Sequence, residues 1–312
     1  MAKNSVQLVE VGLRDGLQNE MQPLAVKERI EFAEKLIEAG LRRIELGAFV
    51  REDRVPQMAG SEQITTNILQ KYGRKIKGSV LVPNEIGMLA ALQTPVKDVA
   101  VFASCSESFS RKNINCSIEE SFSRFENIFR LAKKNRIKVR GYLSTCFACP
   151  YEGNVSSKKV VELARRLYKM GCYEISIGDT IGVATPGEVK KLFKQLKKVI
   201  PVKNLAGHFH DTRGMAVANI YAAFQEGVRV FDTSLGGLGG CPYAPGSAGN
   251  VATEDAVYLL DGLGVKTGIS IEKLVEIHHW AEEKMKKELP SRVGRIGRLN
   301  PLGKVSGPAI AL

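Results

Sequence analysis

Short apolar, β-branched runs alternate along the chain with longer stretches whose apolar residues recur every three to four positions. The short runs, at 6–12, 43–49, 77–83, 98–104, 138–147, 174–180, 205–211 and 229–235, predict strands. The longer stretches, near 25–39, 61–72, 85–93, 117–135, 156–170, 186–199 and 214–226, predict helices, and 251–263 adds one after the last strand. In the first helix Ile30, Ala33, Leu36 and Ile37 share a face, and Gly40 fits its C-terminal stop. Ser117 with Glu120 reads as a capping box opening the fourth helix, and Pro186 fits the first turn of the sixth. Consecutive β–α units of this kind predict an α/β fold, a parallel (β/α)₈ TIM barrel with its helices outside. An open doubly wound sheet is the alternative, but no GxGxxG follows the first strand. A further amphipathic helix is expected near 270–288, followed by a basic tail in which Arg292, Arg295 and Arg298 are spaced by glycine and apolar residues. One domain is therefore expected over 1–290, with a tail at 291–312 that is either mobile or folded over the barrel.

Composition agrees with one large core: the chain has 312 residues, 44% of them hydrophobic, and α/β barrels use about 250 residues as a unit. No apolar run reaches the ~20 residues that a bilayer requires. The start, Met1-Ala2-Lys3-Asn4-Ser5, carries no apolar targeting segment. The expectation is a cytoplasmic protein with no membrane partner, or one whose targeting segment is missing from this sequence. The cysteines, at 105, 116, 146, 149, 172 and 241, form no dense disulfide pattern, so reduced thiols are expected. Cys146 and Cys149 form a CxxC without a second pair at zinc spacing. The net charge of +12 gathers in helical stretches such as Lys133-Lys134, Lys158-Lys159, Arg165-Arg166, Lys190-Lys191 and Lys197-Lys198. These read as solvated outer faces, or as a field that attracts an anionic ligand such as a CoA thioester. Nucleic acid is not expected as a partner, because no aromatic-studded basic strand or nucleic-acid motif is present.

The unusual polar residues fall at the C-terminal ends of the predicted strands, where barrels of this kind carry their active sites. The first strand runs into Arg14-Asp15-Gly16, the second carries Glu45, the sixth ends in Gly178-Asp179-Thr180 and the seventh in His208-Phe209-His210-Asp211. Asn250 and Cys241 lie in the loop after the eighth. His208 and His210 are two apart on a strand, so their side chains point the same way. With Asp15 they form a two-histidine, one-carboxylate set suited to Mn²⁺, Mg²⁺, Fe²⁺, Co²⁺ or Zn²⁺. Two core histidines bonded to neighbouring strands is the alternative, weakened by Asp15 and Asn250 at the same end. Arg14 is an always-charged fork suited to an enolate oxygen, or a plain ion-pair partner of Asp15. Glu45, mid-barrel, needs a partner: Arg14, a metal or a ligand histidine. Asp179 is either a cap for the turn that follows or a polar contact with substrate. The segment 236–250 is rich in glycine and is a candidate lid carrying Cys241, a candidate proton donor.

At these residues the chain resembles the 3-hydroxy-3-methylglutaryl-CoA lyase family of metal-dependent (β/α)₈ enzymes. The resemblance runs from about residue 6 to about 285. It is carried by VEVGLRDGLQNE (9–20), RVPQM (54–58), KNINCSIEESFSRF (112–125), VRGYLS (139–144), CPYEG (149–153), GCYEISIGDTIGVATPG (171–187), HFHDT (208–212) and GLGGCPYAPGSAGN (237–250). It implies a divalent cation, Mg²⁺ or Mn²⁺, on Asp15, His208, His210 and Asn250. It implies that Arg14 stabilises an acetyl-CoA enolate, that Cys241 takes part in proton transfer, and that Glu45 and Asp179 give close polar support. Gln18, Asn113, Arg140, Tyr142 and Thr180 match positions along the acyl-CoA path. The base that removes the substrate hydroxyl proton is His208 or Asp15. A homodimer paired through outer helices, with 270–288 as a candidate surface, is also expected.

The chain departs from the family at Leu13, where a proline is usual, at Phe209, often cysteine, at Met21, often lysine, and through Leu46-Gly47-Ala48. Because 46–48 are expected to line the mouth, a bulkier 3-hydroxy-3-alkylglutaryl-CoA is an alternative substrate. Two other readings are a Claisen-type synthase acting on a 2-oxo acid, and a metal- or anion-binding protein without catalysis. The first usually extends well past the barrel, and the second leaves the Arg14–Asp15–His208–His210–Cys241–Asn250 set without a purpose.

Overall fold

The computed structural model describes residues 5–240 and 249–296. Eight parallel strands close a barrel: β1 (Gln7–Glu10), β2 (Arg43–Ala48), β3 (Lys77–Leu81), β4 (Asp98–Ser104), β5 (Lys138–Ser144), β6 (Glu174–Asp179), β7 (Leu205–Phe209) and β8 (Val230–Thr233). Each pairs with its sequence neighbours, and β8 returns to β1 through the register Gln7↔Val230 to Glu10↔Thr233. The helices outside it are α1 (Val26–Glu38), α2 (Ser61–Tyr72), α3 (Glu85–Ala91), α4 (Glu107–Ile114), α5 (Ile118–Asn135), α6 (Ser157–Met170), α7 (Pro186–Leu196), α8 (Ala216–Gln225), α9 (Thr253–Gly262), α10 (Ile271–Met285) and α11 (Arg292–Ile296). Among the described residues no helix is long and apolar enough to cross a membrane.

The two faces of each strand carry different chemistry. Outward-facing Ile44, Leu46, Ile175 and Ile177 pack under helix faces such as Phe32, Ala33, Leu36 and Ile37 of α1. The bore is polar: Arg43 on β2 reaches Glu174 on β6, the opposite wall, at 2.8 Å, and Arg140 on β5 meets Glu174 at 2.7 Å. Charges survive there because each faces an opposite charge or a hydrogen-bond partner. The outer lysines and arginines of the paired clusters, among them Lys133, Lys134, Lys158, Arg165, Lys197 and Lys198, are exposed, in line with solvated helix faces.

The capping box of Ser117 and Glu120, the Pro186 start and the Gly40 stop are all present, with Gly40 at φ 109°. Several boundaries differ from the expected ones. β1 ends at Glu10 and the chain enters a π-helical turn, Gly12–Gly16. The fifth strand stops at Ser144, because Thr145 takes φ 56° and turns the chain into a small antiparallel hairpin pairing 148–149 with 153–154. Helix α4 has no counterpart in the predicted elements. Its SFSRKN sequence is polar, and it is nucleated by Ser106, whose hydroxyl accepts from Phe109 N at 3.0 Å. The folded part also continues past residue 290: Ser291 N donates to Gly236 O at 3.0 Å, and Gly294 of α11 packs directly against the His278 ring. The remainder of the expected tail, with Arg298, and the loop positions 241–248, with Cys241, lie outside the described residues.

Candidate active site

At the C-terminal ends of the strands a cavity of about 780 Å³ opens. Arg14, Asp15, Gln18, Asn113, Tyr142, Thr180, His208 and His210 all line it. The π-helical turn after β1 is what delivers Arg14 and Asp15. Single π-helical turns are rare overall but frequent at functional sites. Here two backbone amides are satisfied through Glu10, which accepts from Gly12 N at 2.8 Å and Leu235 N at 2.9 Å.

Two histidines from β7 and its end converge with Asp15. His208 Nε2 and His210 Nε2 are 3.2 Å apart, and each is 3.8 Å from Asp15 Oδ2. Two imidazole nitrogens bound at about 2.1 Å in adjacent positions on one cation stand about 3 Å apart, so the spacing fits shared coordination. Asn250 is held in an isolated bridge to His210. Its Nδ2 donates to Asp15 Oδ2 at 2.9 Å and to Leu238 O at 3.2 Å, while its buried Oδ1 has no protein partner. A buried carbonyl oxygen without a donor is costly unless something else, such as a cation, satisfies it. The donor set of two imidazoles, a carboxylate and an amide oxygen suits a divalent ion.

Protonation states favour the same use. Burial drives the His210 pKa down to about 4, helped by His208 and opposed by Asp15, so the ring is neutral near pH 7. Burial pushes the Asp15 carboxyl up, but Arg14, His208, His210 and the Asn250 hydrogen bond outweigh it and hold the group well below the usual carboxylate range. His208 Nδ1 is 3.2 Å from Asp232 Oδ2, behind the ring.

Arg14 is anchored by Glu45, which accepts from its Nε at 2.6 Å, and by Asp15, which pairs with Nη1. Its guanidinium lies 5.2 Å over the Tyr142 ring, and Tyr142 Oη donates to Glu45 at 3.3 Å. Burial opposes the charge, but Asp15 and Glu45 outweigh it and keep Arg14 cationic. Arg51, Arg54, Lys112 and Arg124 add positive charge to the cavity, and Val50, Leu81, Phe102 and Phe109 give it an apolar wall.

Three candidate site residues do not line the cavity, and for two of them, Glu45 with Arg14 as partner and Asp179 as a cap, the observed role is one of the expected alternatives. Glu45 is fully buried behind Arg14, so it positions the guanidinium and does not face the cavity. Arg140 is 1% exposed and committed to Glu174 and Asp232, so it is a strut in the bore and not a ligand contact. Asp179 accepts from Val183 N at 3.0 Å and Ala184 N at 2.9 Å, which makes it the cap of the loop after β6. The expectation for 46–48 is also overturned. Leu46 points to the helices, against the Gly78–Leu69 layer, and Gly47 abuts Ser61 of α2. The CxxC is structural: Cys146 donates to Leu143 O at 3.0 Å, and Cys149 Sγ lies 2.9 Å from Ser106 Oγ. The residue that sequence reasoning missed is Asp232. It sits inside β8, below the strand ends that carry the other polar site residues. The signal was available: in VFDT, Phe231 and Asp232 must face opposite sides, and the aspartate pairs in register with His208.

Residues 5–280 match the HMGL-like family model. The chain is 52% identical over 273 residues to the hydroxymethylglutaryl-CoA lyase of Pseudomonas mevalonii, covering 88% of this chain and 90% of that protein. It is 51% identical over 271 residues to the 3-hydroxy-3-isohexenylglutaryl-CoA/hydroxy-methylglutaryl-CoA lyase of Pseudomonas aeruginosa, covering 87% and 90%. Among solved structures, the hydroxymethylglutaryl-CoA lyase from Pseudomonas aeruginosa superposes with a TM-score of 0.91 at 48% identity, over 94% of this chain and 97% of that one.

Proposed function

The chain belongs to the HMGL-like family, and from that premise we propose that it is a carbon–carbon lyase that cleaves 3-hydroxy-3-methylglutaryl-CoA into acetyl-CoA and acetoacetate. The observation that carries this reading is the convergence of Asp15, His208, His210 and the unsatisfied Asn250 Oδ1 beside a cationic Arg14 at one mouth of the barrel.

Asp15, His208, His210 and Asn250 would hold a divalent cation, Mg²⁺ or Mn²⁺, which would supply Lewis acidity toward the substrate. The chain's own residues do the rest. The C3 hydroxyl loses its proton to a base at the mouth. Asp15, held charged by Arg14, is a weak base. The C2–C3 bond then breaks, and its electron pair forms the thioester enolate. Arg14 offsets that charge, and Glu45 keeps its fork aimed. Carbon is protonated by Cys241, which follows the cavity-lining Gly240 in the chain. Arg51, Arg54, Lys112 and Arg124 attract the CoA phosphates.

A second reading concerns the 3-alkyl group. The apolar wall of Val50, Leu81, Phe102 and Phe109 in a cavity of about 780 Å³ favours acceptance of a longer chain than methyl. Purified protein with Mg²⁺ or Mn²⁺ is expected to release acetyl-CoA from 3-hydroxy-3-methylglutaryl-CoA, and to stop when the cation is chelated. Release from the isohexenyl analogue at a comparable kcat/KM supports the wider specificity. Absence of cleavage with either thioester overturns the lyase reading.

A further inference from the structure

The bore beneath the mouth carries a column of charge that the lyase chemistry does not use directly. Arg43 and Arg140 both grip Glu174, and Arg140 Nη2 also pairs with Asp232 Oδ1 at 2.8 Å. Asp232 Oδ2 accepts from Ser176 Oγ at 2.6 Å and lies 3.2 Å from His208 Nδ1. Arg140, Glu174 and Asp232 are nearly or wholly excluded from solvent. We propose that Asp232 is a positioning residue that fixes His208 as its Nδ1–H tautomer, so that Nε2 keeps its lone pair facing the mouth.

The geometry leaves little choice of proton placement. An ionised carboxylate only accepts, and a guanidinium only donates. Arg140 faces one oxygen of Asp232 as an ion pair, at 2.8 Å but outside hydrogen-bond geometry. Ser176 spends its single proton on the other. The remaining contact with His208 Nδ1 is favourable only if that nitrogen carries hydrogen. Neutral imidazole has one N–H, so Nε2 is left bare, 3.2 Å from the corresponding atom of His210. A carboxylate behind a ligand histidine serves the same purpose in metal sites generally, and its loss costs roughly 10–100-fold in metal affinity.

An amide cannot substitute for this carboxylate. In Asp232→Asn, Arg140 selects the amide oxygen, since it has no acceptor of its own. The NH₂ group then faces His208, which must accept at Nδ1 and carry its proton on Nε2. The size of the side chain is unchanged while the ligand atom is blocked.

The chain has four histidines, so the tautomer can be read directly. In metal-free, ¹⁵N-histidine-labelled full-length protein, long-range ¹H–¹⁵N spectra, with His208 assigned by a His208→Gln comparison, are expected to show His208 as Nδ1–H. Asp232→Asn is expected to switch it to Nε2–H and to weaken Mn²⁺ binding, measured by the electron paramagnetic resonance of free Mn²⁺, about 10–100-fold. An Nε2–H tautomer in the wild-type protein overturns the proposal without recourse to any variant. So does an Asp232→Asn protein that binds Mn²⁺ as tightly as the wild type. The consequence for metal binding rests on the reading of His208 as a cation ligand. A wild-type protein that shows the Nδ1–H tautomer yet binds no Mn²⁺ sinks that reading and leaves the tautomer assignment standing.

Discussion

Two buried clusters of carboxylates flank the mouth, and they are built on opposite principles. The axial cluster, in the bore, sets Glu174 and Asp232 against Arg43 and Arg140. The lateral cluster lies under the start of the glycine-rich segment. There Glu10 accepts from Gly12 N, Leu235 N and, at 2.7 Å, Thr253 Oγ1, while Glu254 accepts from Gly236 N and faces His278 Nδ1 at 3.0 Å. In both, burial pushes carboxyl groups toward the neutral form. In the axial cluster the guanidinium groups outweigh burial, and Glu174 and Asp232 lie below their usual range. In the lateral cluster the hydroxyl and amide donors do not: burial lifts Glu10 to about 7 and also raises Glu254. Here the donors of the lateral cluster, His278 among them, orient the carboxyl groups without offsetting their lost hydration, whereas the guanidinium groups of the axial cluster do. The axial cluster therefore holds the His208 side of the site in one charge state. In the lateral cluster, which supports the Arg14–Asp15 turn from behind, Glu10 is lifted to about 7 and Glu254 is raised.

The largest effect that tests this contrast comes from Arg140→Met. It strands Asp232 without a cation and removes half of the clamp on Glu174. A buried pair broken from one side costs about 3–5 kcal/mol. Urea unfolding is expected to show a loss of that size. A loss below about 1 kcal/mol would mean that the column is more hydrated than its burial indicates.

The pH dependence of stability provides the next test. Glu10 has a folded pKa of about 7 against a reference of 4.5. Between those values the folded protein holds the proton more tightly than the unfolded chain. This contribution is present in full below pH 4.5 and is lost as pH rises through 7. At 1.36 kcal/mol per unit the total is roughly 3 kcal/mol. Glu10→Gln carries no titrating group, so it is expected to flatten that part of the profile and to gain on the wild type as pH rises from 5 to 8. Parallel profiles for the two proteins would place Glu10 in the charged state throughout and erase the contrast with Asp232.

How much of this was legible in the chain depended on whether local pattern or long-range partners decide a residue's role. The barrel was legible because eight apolar runs and the intervening helical periodicity repeat without interruption. The mouth was legible because His208 and His210 lie at the end of a predicted strand and Arg14, Asp15 and Asn250 follow predicted strands. Asp179, Arg140 and Glu45 show the limit. Each is a polar residue on or at the end of a strand, and only the three-dimensional partners tell a cap, a strut and a positioning group from a substrate contact. Leu46 illustrates the same point through parity: a strand's inward and outward positions differ by one residue, and Glu45 facing in sends Leu46 out. Helix α4 was hidden because its apolar face is one turn long.

The smallest expected effect separates the clusters by their access to water. Ser176 and Thr253 each give a hydroxyl hydrogen bond to a buried carboxylate, at 2.6 and 2.7 Å. Both are fully buried, but Ser176 lines the cavity and Thr253 does not. In Ser176→Ala, water from the cavity is able to take the hydroxyl's place, and Arg140 still faces Asp232. The cost is expected to stay near the net value of one hydrogen bond, about 1 kcal/mol. Thr253→Val keeps its shape but admits no water, so Glu10 loses a donor outright, at about 1–3 kcal/mol. It is also expected to move the Glu10 titration further above 7, because the Thr253 bond opposes the rise. Thermal melts of the two variants at pH 8 measure both. If Ser176→Ala proves the costlier, the carboxylate under His208 depends on its neutral donor as much as on Arg140, and the two clusters differ only in degree.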